Sequence, residues 1–154
     1  MKKAIMLLVV AATATLANAA TVKWSAANIY GPDATTKYTG TASLYAVIDG
    51  TATLLNTASV SGGTISATAT QFKTTALTGG ETYAFYVVIE DSSGKFTSAQ
   101  ISKLIQTTST TTVGFGNMES QTKASDAWAA VPEPTSGLML LLGVAGLALK
   151  RKRA

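Results

Sequence analysis

LTGGETYAFYVVIED, Leu77 to Asp91, alternates its side chains with a period of two. Tyr83, Phe85, Val87 and Ile89 fall on one face of an extended chain, and Tyr86 and Val88 on the other. A strand that is apolar on both faces belongs in the middle of a sheet. Ser92, Ser93 and Gly94 then make a tight connection, and Lys95 to Ile105 reads as the returning strand.

Upstream, Thr41 to Ile48 is rich in β-formers and runs into Asp49-Gly50, the strongest short hairpin signal. Thr51 to Val60 is its expected partner. Val22-Lys23-Trp24-Ser25 alternates apolar and polar and opens a first strand. Gly31-Pro32-Asp33 and Gly62-Gly63 are turn signals, with a further strand expected over Thr64 to Phe72 and a last short one over Val113 to Phe115. No stretch from Ala20 to Thr112 holds a helical period. About seven short strands separated by frequent turns predict an all-β domain over 20–116, a single antiparallel β-sandwich. Asn117 to Ala130 is polar and unpatterned, and reads as a stalk at 117–130. Trp128, within it, suits a membrane interface, a loose surface position or packing on the sandwich.

The two ends of the chain are of another kind. Met1 to Ala19 has the layout of a secretory signal peptide: Lys2 and Lys3, an apolar core from Ala4 to Ala12, and the small-x-small site formed by Ala17 and Ala19. Cleavage is expected after Ala19, with Ala20 as the near alternative. At the other end, Val131, Pro132, Glu133 and Pro134 precede an apolar run at 135–149 and four cations, Lys150, Arg151, Lys152 and Arg153. Prolines bias Val131 to Pro134 toward an extended form. The strictly apolar part, Gly137 to Leu149, has 13 residues. That makes ~20 Å of helix against the ~30 Å of a bilayer core. A span this short suits a transient hold, and its terminal cations place the preceding chain outside the cytoplasm. On these grounds alone an ordinary tail anchor with a proline-capped helix is the alternative.

Charge has to be counted without the ends. The formal net charge is +4, but six of the 12 Lys and Arg lie in the leader and the tail. The body, Ala20 to Ala130, keeps six Lys and seven carboxylates, Asp33, Asp49, Glu81, Glu90, Asp91, Glu119 and Asp126, for about −1 and no Arg. Nucleic acid is excluded as a partner, since a basic patch is its minimum requirement. The chain has no Cys and no His, so no disulfide, Cys/His metal site, Ser-His-Asp triad or Cys-His dyad can form.

The tail of 131–154 resembles the PEP-CTERM sorting signal in all three of its parts, with Val131 to Pro134 as the box. The resemblance implies an exosortase, an integral-membrane processing enzyme of Gram-negative bacteria, as partner. It implies a transient inner-membrane anchor with the body in the periplasm, then delivery to the cell surface or an extracellular polysaccharide matrix. It implies nothing about the body. Leu77, Gly80, Tyr83, Phe85, Val87 and Gly94 resemble the corner and hairpin of fibronectin type III or immunoglobulin-like domains. Tyr83 would be the corner tyrosine, its hydroxyl bonded to upstream backbone. The early position of Trp24 departs from that pattern, and a jelly roll or another Greek key stays open.

Ser and Thr supply 34 of the 111 body residues, which fits solvent-facing strand positions or an adhesive or O-glycosylated surface. Glu90-Asp91 is the one adjacent acidic pair, with too few neighbouring carboxylates for a calcium loop. A small hydrolase would need two carboxylates at fixed separation, and none of the seven sits in a recognisable motif. No catalytic residue, metal, cofactor or small-molecule substrate is expected. The body reads as a structural or interaction module, with a carbohydrate-binding or adhesion module as the alternative. Trp24, Tyr30, Tyr38 and Tyr45 are the aromatic residues that could stack on sugar, or else fill the core.

Overall fold

A computed structural model describes residues 19–130. The expected signal peptide up to Asn18, the box at 131–134, the apolar run at 135–149 and the cations at 150–153 lie outside the described residues. Among the described residues no helix is long and apolar enough to cross a membrane.

The body is all-β, in two sheets consistent with a β-sandwich. One sheet has three strands, with β1 (Ala20–Ala27) between β4 (Phe72–Thr74) and β8 (Thr111–Asn117). The other has six: β2 (Gly40–Ile48), β3 (Thr51–Val60), β5 (Thr82–Asp91), β6 (Gly94–Thr97), β7 (Ile101–Leu104) and β9 (Trp128–Ala129). Its order is β3-β2-β5-β6-β9, with β7 also on β5. A single buried cluster takes Val22, Trp24, Ala26, Val113 and Phe115 from the first sheet. From the second it takes Ala42, Leu44, Ala46, Phe85, Val87, Ile89 and Phe96.

Local chemistry explains the best-formed elements. β2 and β3 are joined by Asp49 and Gly50, with φ of 49° and 76°. Positive φ at both central residues is the primed turn whose twist matches two paired strands. β5 buries Phe85, Val87 and Ile89 on one face and leaves Tyr86 and Val88 half-buried on the other. It is central, pairing β2 along one edge and β6 and β7 along the other. The Thr78 N–H donates to the Tyr83 hydroxyl at 3.1 Å, so the expected corner bond forms.

Four expectations are corrected. The body is not purely antiparallel, because β1 and β8 pair in parallel, Trp24 opposite Val113. Lys95 to Ile105 is two strands, broken where Ser98, Ala99 and Gln100 oppose Tyr86 and Val87. Ser98 heals that bulge: its Oγ accepts from Val87 N at 2.9 Å and its own N–H donates to Val87 O at 2.9 Å. The strand expected over Thr64 to Phe72 is absent up to Gln71, and only Phe72 is extended, as the start of β4. Thr64 and Ile65 make isolated bridges, and Thr70 turns inward so that its Oγ1 accepts from Trp24 N at 3.0 Å and donates to Trp24 O.

The fourth correction concerns 117–130, which is no stalk. A short helix, α1 (Glu119–Thr122), follows β8, and Met118 beside it is fully buried. Met118 N donates to Ala27 O at 2.9 Å, and Tyr30 N donates to Thr122 Oγ1 at 3.1 Å. β9 then adds to the sheet edge, Trp128 opposite Phe96 and Ala129 opposite Lys95. The segment is polar in composition because it docks through a few side chains rather than a periodic face.

Candidate functional site

The junction between body and tail is built from β9. The Trp128 ring lies 5.6 Å from both the Tyr38 and the Phe96 ring, at tilts of 38° and 36°. Its indole N–H donates to Thr122 O at 3.2 Å. Gly94 allows the close approach, since a Cβ there would stand 3.3 Å from Ala129 O and 3.4 Å from the Trp128 ring. Tyr38 is itself buried, with its hydroxyl toward Asp91. Burial first, then the Asp91 carboxylate, pushes the phenol up to about 12.

Beyond Ala129 the chain becomes something else. A family model, described as the PEP-CTERM protein-sorting motif, matches residues 130–153. The chain carries a PEP-CTERM sorting motif. No curated protein and no solved structure matches the chain. The motif implies export, and sorting by an exosortase at the membrane. It starts one residue after β9 ends. At the other end, Ala19 is exposed, while Ala20 is buried and paired with Thr74. A cut after Ala19 would leave β1 whole, and a cut after Ala20 would remove its first residue. Ala17 lies outside the described residues.

The aromatic residues divide. Trp24 is completely buried, its indole N–H donating to Asn56 Oδ1 at 2.9 Å. Tyr30 is flanked by two ammonium groups, Lys37 Nζ at 4.4 Å and Lys123 Nζ at 3.9 Å from its ring centre. Tyr45 alone of the four aromatic candidates, Trp24, Tyr30, Tyr38 and Tyr45, stands on the outer face of the six-stranded sheet. There it pairs with Tyr86, rings 5.4 Å apart and 11° from parallel. Tyr86 was not among those candidates. Its signal was its place on the second face of β5, which becomes useful only once β2 is known to lie alongside.

The carboxylates are mostly engaged in local structure. Asp33 Oδ1 accepts from Thr36 N at 2.9 Å and Thr35 N at 3.0 Å, and the Thr36 side chain first, then these two amides, pull its carboxyl down to about 2. Glu90 pairs with Lys95 at 2.9 Å and Glu119 with Lys123 at 2.8 Å. Each lysine is raised and Glu119 lowered by its partner. Asp91 Oδ1 accepts from Ser93 N at 2.7 Å. Glu90 and Asp91 are successive strand residues on opposite faces of β5, so they do not converge on one ion. Among the described residues no group of three His, Cys, Asp or Glu could hold a metal.

Proposed function

We propose that this chain is a non-enzymatic structural or interaction protein of the cell surface or extracellular matrix of a Gram-negative bacterium, brought there by exosortase sorting. The observation that carries it is the match of 130–153 to the sorting motif, directly behind a folded β body. In this reading residues 1–19 are removed on export. The body waits in the periplasm on a short transmembrane anchor, and processing near Val131 to Pro134 frees it. Engagement of Asp33, Glu90, Asp91 and Glu119 in turns and ion pairs supports a body without catalytic carboxylates. The Tyr83–Thr78 corner supports an immunoglobulin-like or fibronectin III-like sandwich. The test is the intact mass of the protein purified from its host through a tag inside the body. A mass lacking both the leader and the residues after the box is expected. A mass lacking the leader alone would show a lasting membrane anchor and overturn the processing step.

A further inference from the structure

The outer face of the six-stranded sheet is not dressed as an ordinary solvated face. Leu54, Tyr45 and Tyr86 lie side by side across β3, β2 and β5. Ala52, Val47 and Ala84 form the next row, and Val88 stands beside Ser43 in the row on the far side. Leu54 is 52% exposed although it is one of the larger apolar side chains. Tyr45, Val47, Tyr86 and Val88 floor a groove of about 520 Å³. That size falls within the ~300–1,000 Å³ of small-ligand sites. The Thr97 hydroxyl and the Gln100 amide stand along it, and the Glu90–Lys95 pair lines it too.

We propose that this groove binds a neutral polysaccharide, with pyranose rings resting on Tyr45 and Tyr86. A pyranose ring has an apolar face of C–H groups and a rim of hydroxyls. The C–H face matches the electron-rich face of a phenol ring. The hydroxyl rim matches short donors and acceptors placed around an apolar floor, which is what Thr97, Gln100 and the Glu90–Lys95 pair supply. Charge selects the class of glycan. Glu90 and Lys95 neutralise each other at 2.9 Å, and among the described residues no other charged side chain lines the groove, so an anionic polymer gains nothing here. The two rings stack on each other across neighbouring strands, 5.4 Å apart, and so form one apolar block wider than a single ring, whose free outer faces and edges remain for sugar. The proposal rests on the sheet face and is independent of how the chain is sorted, so the two readings can fail separately.

The experiment titrates the full chain, held in mild detergent, with glucomannan, dextran and alginate by calorimetry. Binding to a neutral glycan and none to alginate is expected. Tyr45→Ala and Tyr86→Ala should each weaken it roughly two- to tenfold, as removal of one stacking ring does. Tyr45→Phe, which keeps the ring, should retain it. Ala52→Glu, at an exposed position of β3, should weaken binding without touching the tyrosines, and circular dichroism checks that each variant is folded. No binding to either neutral glycan by the folded chain overturns the proposal. So does binding to alginate alone, binding undiminished in the double tyrosine variant, or a dimer through this face that Leu54→Lys dissolves.

Discussion

The Trp24 indole N–H reaches across the core to Asn56 Oδ1 at 2.9 Å, joining the three-stranded sheet to β3 of the other. Asn56 sits where β3 carries an extra residue, between the pairs Leu44–Asn56 and Tyr45–Leu54. Asn56→Leu leaves a fully buried donor without an acceptor, a loss of about 1–3 kcal/mol. Thermal unfolding should show it as a fall of roughly 4–8 °C per kcal/mol. An unchanged midpoint would mean that water replaces the amide.

Trp128 should decide whether β9 stays on the sheet. Trp128→Ala removes the contacts with Tyr38 and Phe96 and leaves a two-residue strand held by backbone alone. The expected loss is on the order of 2 kcal/mol. Hydrogen exchange and limited proteolysis should find the change concentrated at 123–130, with β5 still protected. Uniform loss of protection across the body would instead make Trp128 part of the global core.

Tyr38 predicts an alkaline weakness. Its folded value of about 12 stands above the ordinary 10.0, so the protonated phenol is favoured by folding. The contribution is complete below pH 10, where the unfolded chain is also protonated, and is lost as pH rises through the window up to about 12. Phenolate absorbance should show a late step, and Tyr38→Phe should remove it. An absorbance curve unchanged by Tyr38→Phe at its alkaline end would contradict the burial of this hydroxyl against Asp91.

Asp33 predicts the opposite dependence. Its carboxyl lies below the ordinary 3.8, so its hold on the Thr35 and Thr36 amides is present above that value. It is lost as pH falls through about 2. The amide resonances of Thr35 and Thr36 should move with that midpoint, and Asp33→Ala should abolish the movement. The group is exposed, so the effect is local to the 31–36 turn.

What could be read in advance was whatever depended on neighbours in the chain. The Asp49-Gly50 turn, the alternation from Tyr83 to Ile89 and the Tyr83 corner bond are set within a few residues of one another. The parallel β1–β8 ladder joins residues about ninety apart, and no local pattern announces it. Thr64 to Phe72 looked like a strand because threonines favour β structure, yet Thr70 spends its hydroxyl on both backbone groups of Trp24. The docking of 117–130 depends on Met118, Thr122 and Trp128, three side chains too widely spaced to make a period. In the outer face, Tyr45 could be picked out alone, but its partner Tyr86 required the register of β2 on β5.

The attachment of the tail to β9 also sets how the protein bears load. A pull through residue 131 arrives first at a two-residue edge strand. That strand opens like the last teeth of a zipper, one rung at a time, with Trp128 as its catch. β5, bonded along both edges, lies two strands further in. While the tail is held, the body is thus hung from a weak clasp, and traction would lengthen the leash before it damaged the domain.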